Sequence, residues 1–187
     1  MCSMRSDDRY LETDIEEIDM KSATDRFVPS IVRLGVLGGL AGGFAEVAWI
    51  AAYGALAGVD TSDIARGIVD AVAGGSVAVG GSMGVAAGVL IHLFLAIALG
   101  VGLALAWHLL PVRCGAWSDY ALAAAVLAMV WKVNFFLVLP LLSPSFVHML
   151  PYSVTFVSKL AFGLAAATVL RLRGAQLRDA MELARRR

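Results

Sequence analysis

The stretch Gly84-Val-Ala-Ala-Gly-Val-Leu-Ile-His-Leu-Phe-Leu-Ala-Ile-Ala-Leu-Gly-Val-Gly-Leu-Ala-Leu-Ala-Trp-His-Leu-Leu110 decides what kind of protein this is. It contains no Asp, Glu, Lys or Arg. A helix of about 20 mainly apolar residues crosses the hydrocarbon core of a bilayer, and a helix satisfies its own backbone polar groups where no water can. The stretch therefore predicts a transmembrane helix over residues 84–110. Three more segments have the same character, at 31–57, 120–139 and 152–170. The whole composition follows suit: of 187 residues, 59% are hydrophobic and 16% charged, with a mean hydropathy of +0.79. Soluble domains carry about 45–50% apolar and roughly 25% charged residues. The expected fold is an all-α, polytopic integral membrane protein, a four-transmembrane-helix bundle with a short amphipathic outer-surface helix.

Formal net charge is zero, but the charges gather before residue 34, after residue 170 and in short connections. Twelve Lys and Arg residues fall on one side of the four spans: five up to Arg33, Arg113 between the second and third spans, and six from Arg171 onward. The other side holds Arg66 alone. The positive-inside rule then predicts an inner (cytoplasmic) membrane protein with both termini cytoplasmic. The domain plan is an acidic tail over 1–29, the transmembrane domain over 30–171 and a basic tail over 172–187. The acidic opening is unlike the positively charged start of a signal peptide. In the tail, Leu11, Ile15 and Ile18 have helical spacing, compatible with either a docking helix or a disordered segment. Two cysteines, Cys2 and Cys114, cannot make a disulfide framework. The lipid bilayer is the expected environment, with other transmembrane subunits or further copies of the chain as partners and no nucleic acid.

The connections differ. Residues 111–118 read as a tight inner turn. On the outer side, residues 61–73 place Ile64, Ile68 and Val72 on one helical face and Asp63, Arg66 and Asp70 on the other, which predicts an amphipathic helix on the membrane surface. The glycine-rich run 74–84 lacks the Gly-Lys-Ser/Thr ending of a phosphate-binding loop and reads as a tether. Residues 141–151, interrupted by Pro144 and Pro151, carry no formal charge and are expected to tuck into the bundle mouth or the membrane interface rather than extend into water.

Four ionisable residues lie inside spans: Glu46, His92, Lys132 and Lys159. A charged group at the centre of a membrane helix costs about 2.5–3.5 kcal/mol, so such residues face protein, water or a partner. Small residues four apart mark close helix contact, and each of the four sits on such a ridge. Gly38 and Gly42 lead to Glu46, beside Gly35, Gly39 and Gly43. Gly84 and Gly88 lead through His92 to Ala96, Gly100 and Ala104. Ala124 and Ala128 lead to Lys132, and Lys159 leads to Gly163 and Ala167. At about 1.5 Å per residue all four reach the outer third of the membrane. The expectation is one polar cluster, a candidate for ligand binding or proton transfer, with Trp49 and Tyr53 at its outer mouth. His108 reads as an interface residue and Asn134 as a packing residue.

Glu46 can balance only one lysine, so the second calls for an anion, a quinone head group, a lipid phosphate or a partner's acid. The favoured function is a small subunit or accessory protein of a larger membrane complex. The alternatives are a small oligomeric transporter or channel, and a redox protein holding haem or copper through His92 and His148, with Glu46 as a further candidate metal ligand. No specific motif indicates haem, copper or quinone, and no catalytic arrangement is recognisable.

Overall fold

The structure is a computed structural model that describes residues 7–73, 80–109 and 116–185, with side-chain surroundings over 30–73, 80–109 and 117–174. Among these residues it is helical and contains no strand. Four helical stretches are long and apolar enough to cross a membrane: Ser30–Ala57, Gly81–Leu109, Trp117–Leu142 and Tyr152–Gly174. They form a four-helix membrane bundle.

The helices are α1 (Asp7–Ala57), α2 (Thr61–Ala73), α3 (Gly81–Leu109), α4 (Ala116–Val133), α5 (Leu139–Leu142), α6 (Pro144–Val147) and α7 (Tyr152–Arg185), with a π-helical turn over Asn134–Val138 between α4 and α5. The expected 74–84 tether and the inner turn at 111–118 fall largely outside the described residues.

The closest backbone approaches run in the order α3, α1, α7, α4. In lipid, association depends on tight packing rather than on hydrophobic exclusion from water, so small residues decide which faces meet. On α1, two adjacent ridges serve two different neighbours. Gly35, Gly39 and Gly43 face α3, where a Cβ at Gly39 would come within 2.5 Å of the Ala96 carbonyl and 2.7 Å of Ile97 Cα. Gly100 on α3 returns the contact, lying against the backbones of Gly35 and Gly39. Gly38 and Gly42 face α7, where the Phe162 ring fills the groove at Gly42, within 2.7 Å of a Cβ placed there. Phe162 is fully buried as a result.

The α4–α7 seam is built differently. Here the small residue is Gly163 on α7, and Leu127 and the Ala123 backbone of α4 pack against it. Ala123 and Leu127 are fully buried, and Phe135 continues the same buried face beyond α4. At the end of the bundle near Leu109 and Gly174, Arg171 lies 3.7 Å from Asp119 and 5.4 Å from the centre of the Tyr120 ring, which adds a polar clasp.

The opposite end is capped by α2, α5 and α6. Gly58, with φ of +69°, ends α1 in a left-handed residue, and Val59 N–H bonds to the Gly54 carbonyl at 3.0 Å, closing a Schellman-type cap. Asp60 then caps α2, its carboxylate accepting from Ser62 N–H at 2.8 Å. Helix α2 is the expected short amphipathic helix, with Asp63 and Asp70 exposed, and protein supports it on two sides. One flank of α2 packs on α3, Ala65 against Gly88, while Gly67 on the other flank meets Phe146 and Met149. Ile64, Ala65, Val69 and Ala71 are buried, but Val72 is exposed. Protein packs on the helix from two sides, and the buried face is Ile64, Ala65, Val69 and Ala71 rather than an Ile64–Ile68–Val72 stripe. Positions four apart advance about 400° at 3.6 residues per turn, so such a stripe drifts off its face within two steps.

Near Pro140 the α4 helix changes its hydrogen-bond register. Proline has no N–H and its ring crowds the preceding turn. The register shifts so that Leu139 N–H bonds to the Asn134 carbonyl, a π-type relief of the kind that inserts one residue into a helix.

Candidate functional site

Glu46 lies one turn above Gly42 on α1, on the face turned to α7. Because Gly42 lets Phe162 come close, the next turn of α7 brings Lys159 and Ser158 against the carboxylate. Lys159 Nζ donates to Glu46 Oε2 at 2.9 Å and lies 2.7 Å from Oε1, so the ammonium sits in the fork of the carboxylate. The pair is well enclosed, with side-chain exposures of 17% for Lys159 and 5% for Glu46. Ser158 Oγ lies 3.3 Å from Oε1, but its single proton has a shorter path to the Thr155 carbonyl at 2.8 Å. The Phe162 ring centre is 5.9 Å from Nζ, within range of a cation–π attraction.

His92 comes from the third direction. On α3, Ala96 and Gly100 bring the backbone against Gly39 and Gly43, and one turn further His92 reaches Glu46. Its Nε2 stands 3.7 Å from Glu46 Oε2 and is buried without a hydrogen-bond partner. Three helices thus deliver one carboxylate, one ammonium and one imidazole to a single junction.

Lys132 is not at this junction. The Ala124–Ala128–Lys132 ridge, expected to face other helices, is one residue out of phase with the face α4 presents to α7. Ala123, Leu127 and Phe135 are buried, whereas Lys132 is exposed between exposed Met129 and Phe136. One residue is about 100° of rotation on a helix, enough to turn a side chain from the seam to the outer surface. Asn134, half-buried, opens the π-helical turn and supplies its carbonyl.

Of the candidate metal or haem ligands, His92 and Glu46 meet at this junction, while His148 lies apart in the chain beyond α6. His148 follows α6 at its C-terminal cap and is exposed, and no three His, Cys, Asp or Glu side chains among the described residues converge as metal ligands. Trp49 is tied down: its indole N–H donates to the Val154 carbonyl at 3.0 Å, pinning the start of α7 to α1. Tyr53, one turn further, is half-buried.

Sequence reasoning missed Trp131. Its indole N–H donates to Thr155 Oγ1 at 3.1 Å, which donates on to the Tyr152 carbonyl at 3.0 Å. Around it stand Phe135, Phe136, Tyr152 and Phe156, with ring centres 5.7, 5.6, 6.2 and 5.0 Å away. The run Trp131-Lys-Val-Asn-Phe-Phe136 together with Tyr152 and Phe156 contained the signal: aromatic residues at helical spacing on two adjoining spans.

No family model, curated protein or solved structure matches this chain.

Proposed function

We propose that the protein is a small integral subunit or accessory protein of a larger assembly in the cytoplasmic membrane, with both termini cytoplasmic. The orientation rests on the twelve basic residues on one side of the spans against one on the other. The subunit reading rests on Lys132. The charge inside the bundle is already matched, with Lys159 seated on Glu46 at 2.7 Å. Lys132 instead stands exposed on the outer surface of the third span, roughly 15 Å along the helix from its Leu142 end. A lysine at such depth is costly against hydrocarbon, and the carboxylate of a neighbouring transmembrane helix would relieve that cost. A two-fold contact between copies of this face would bring two lysines together, so the partner is a different chain. The Glu46–Lys159 pair is balanced in itself, so the charge left for a partner is that of Lys132.

Gentle detergent purification followed by mass spectrometry tests the proposal. A transmembrane partner should co-purify at a fixed ratio, and Lys132→Leu should reduce its recovery by about tenfold or more, the equivalent of about 1.4 kcal/mol. A chain that purifies alone, or with lipid as its sole companion, would overturn the subunit reading and assign Lys132 to headgroup contact.

A further inference from the structure

The unpartnered Nε2 of His92 is the one buried side-chain nitrogen or oxygen without a hydrogen bond among the described residues. A buried polar group left in this way costs about 1–3 kcal/mol, so the atom calls for a function or a missing partner. Its surroundings identify the partner. Nε2 stands 3.7 Å from Glu46 Oε2, too far for a hydrogen bond but close enough for charge–charge attraction. A protonated ring carries both an N–H on Nε2 and a positive charge, and both favour the carboxylate.

We infer that His92 is a proton-binding site, and that its protonated form closes a Lys159–Glu46–His92 cluster that ties α3 to the α1–α7 pair. The step is a simple uptake. A proton from water binds the free ring nitrogen, the imidazole gains one positive charge and carries an N–H on both nitrogens, and the N–H on Nε2 is turned to Glu46 Oε2. Before uptake the junction is neutral, one ammonium against one carboxylate; afterwards it carries one net positive charge shared by three helices. The other charges on elements packed around the ring are satisfied or remote. On α7 the facing charge is Lys159, already on Glu46 at 2.9 Å. On α2, which packs on α3 one turn away at Gly88, Asp63 and Arg66 pair with each other at 2.6 Å, and Asp70 is exposed. The proton site is independent of any partner bound at Lys132, which lies on another face of the bundle.

Nitrogen-15 spectroscopy of the full chain in lipid nanodiscs, labelled at histidine, provides the test, with His92→Gln identifying the signals. At pH 9 His92 should be a neutral ring, and it should become imidazolium as the pH is lowered to 5. Glu46→Gln should shift the midpoint to lower pH by about one unit or more, as loss of a nearby opposite charge requires. If that variant fails to fold, Glu46→Asp keeps the charge but withdraws it from the ring, and a smaller shift in the same direction is expected. A ring still neutral at pH 5, or a midpoint unmoved by the folded variant, would each overturn the assignment.

Discussion

Lys159 and Lys132 are both lysines within apolar spans, yet the bundle treats them in opposite ways. Lys159 is drawn inward because Gly42 thins α1 enough for Phe162 to dock, and the docked helix carries the ammonium onto Glu46. Lys132 is turned outward because the face of α4 that meets Gly163 is the Ala123–Leu127 face, and Lys132, five residues beyond Leu127, lies about 140° round the helix from it. The difference shows that an intramembrane charge is placed by the shape of its neighbours more than by its own chemistry. A glycine opposite a large side chain makes a seam, and whatever lies one turn along that seam becomes the interior.

The contrast can be broken most forcefully at the buried pair. Glu46→Gln should cost about 3–5 kcal/mol, because Lys159 is left charged and enclosed. Glu46→Gln combined with Lys159→Met should recover most of that loss, since removing both partners avoids an uncompensated charge. Reversible unfolding in detergent, read as a double-mutant cycle, measures both. A double variant as unstable as the single one would mean that the seam depends on the charges themselves.

The steric half of the comparison is tested at Gly39. Valine there must displace the Ala96 backbone, approached within 2.5 Å by a Cβ alone, so Gly39→Val should destabilise by about 1–3 kcal/mol. The same measurement on Gly102, which has open space around it, should show a change within about 0.5 kcal/mol. Lys132→Leu in the isolated chain should likewise be close to neutral or stabilising, in contrast to Lys159→Leu, which leaves Glu46 buried without a cation.

The smallest effect belongs to the cap. Asp60 is held below its ordinary value of 3.8 by its hydrogen bonds from Ser62 and by Arg66. Its folded-state value is depressed, so its contribution is present above the ordinary value and is lost as the pH falls through the folded one. Amide-exchange protection in the first turn of α2 should therefore drop below pH 3.8, and Asp60→Ala should abolish that pH dependence.

Much of the fold was legible because lipid leaves few alternatives. The four spans follow from length and composition, and the Gly35–Gly39–Gly43 and Gly84–Gly88–Ala96–Gly100–Ala104 ridges are the faces on which α1 and α3 meet their neighbours. The convergence of Glu46, His92 and Lys159 follows from the same ridges read together with depth. Spacing alone misplaces Lys132, because a ridge of small residues does not by itself fix which face of a helix meets its neighbour. At the α4–α7 seam Ala123 and Leu127 pack on Gly163, and Ala124 and Ala128 lie one residue round from that face. The register shift at Asn134 and the Trp131 aromatic centre depend on how Pro140 and two separate spans settle together, which one-dimensional spacing does not encode.

The partners in the central ion pair are 113 residues apart in the chain, and this separation has a consequence for biogenesis. At a synthesis rate of about 5–20 residues per second, Lys159 emerges roughly 6–23 s after Glu46. During that interval Glu46 lacks the ammonium that the finished bundle seats on it at 2.7 Å. The last span therefore completes the first, and the α1–α7 seam closes only after the whole membrane domain has been made.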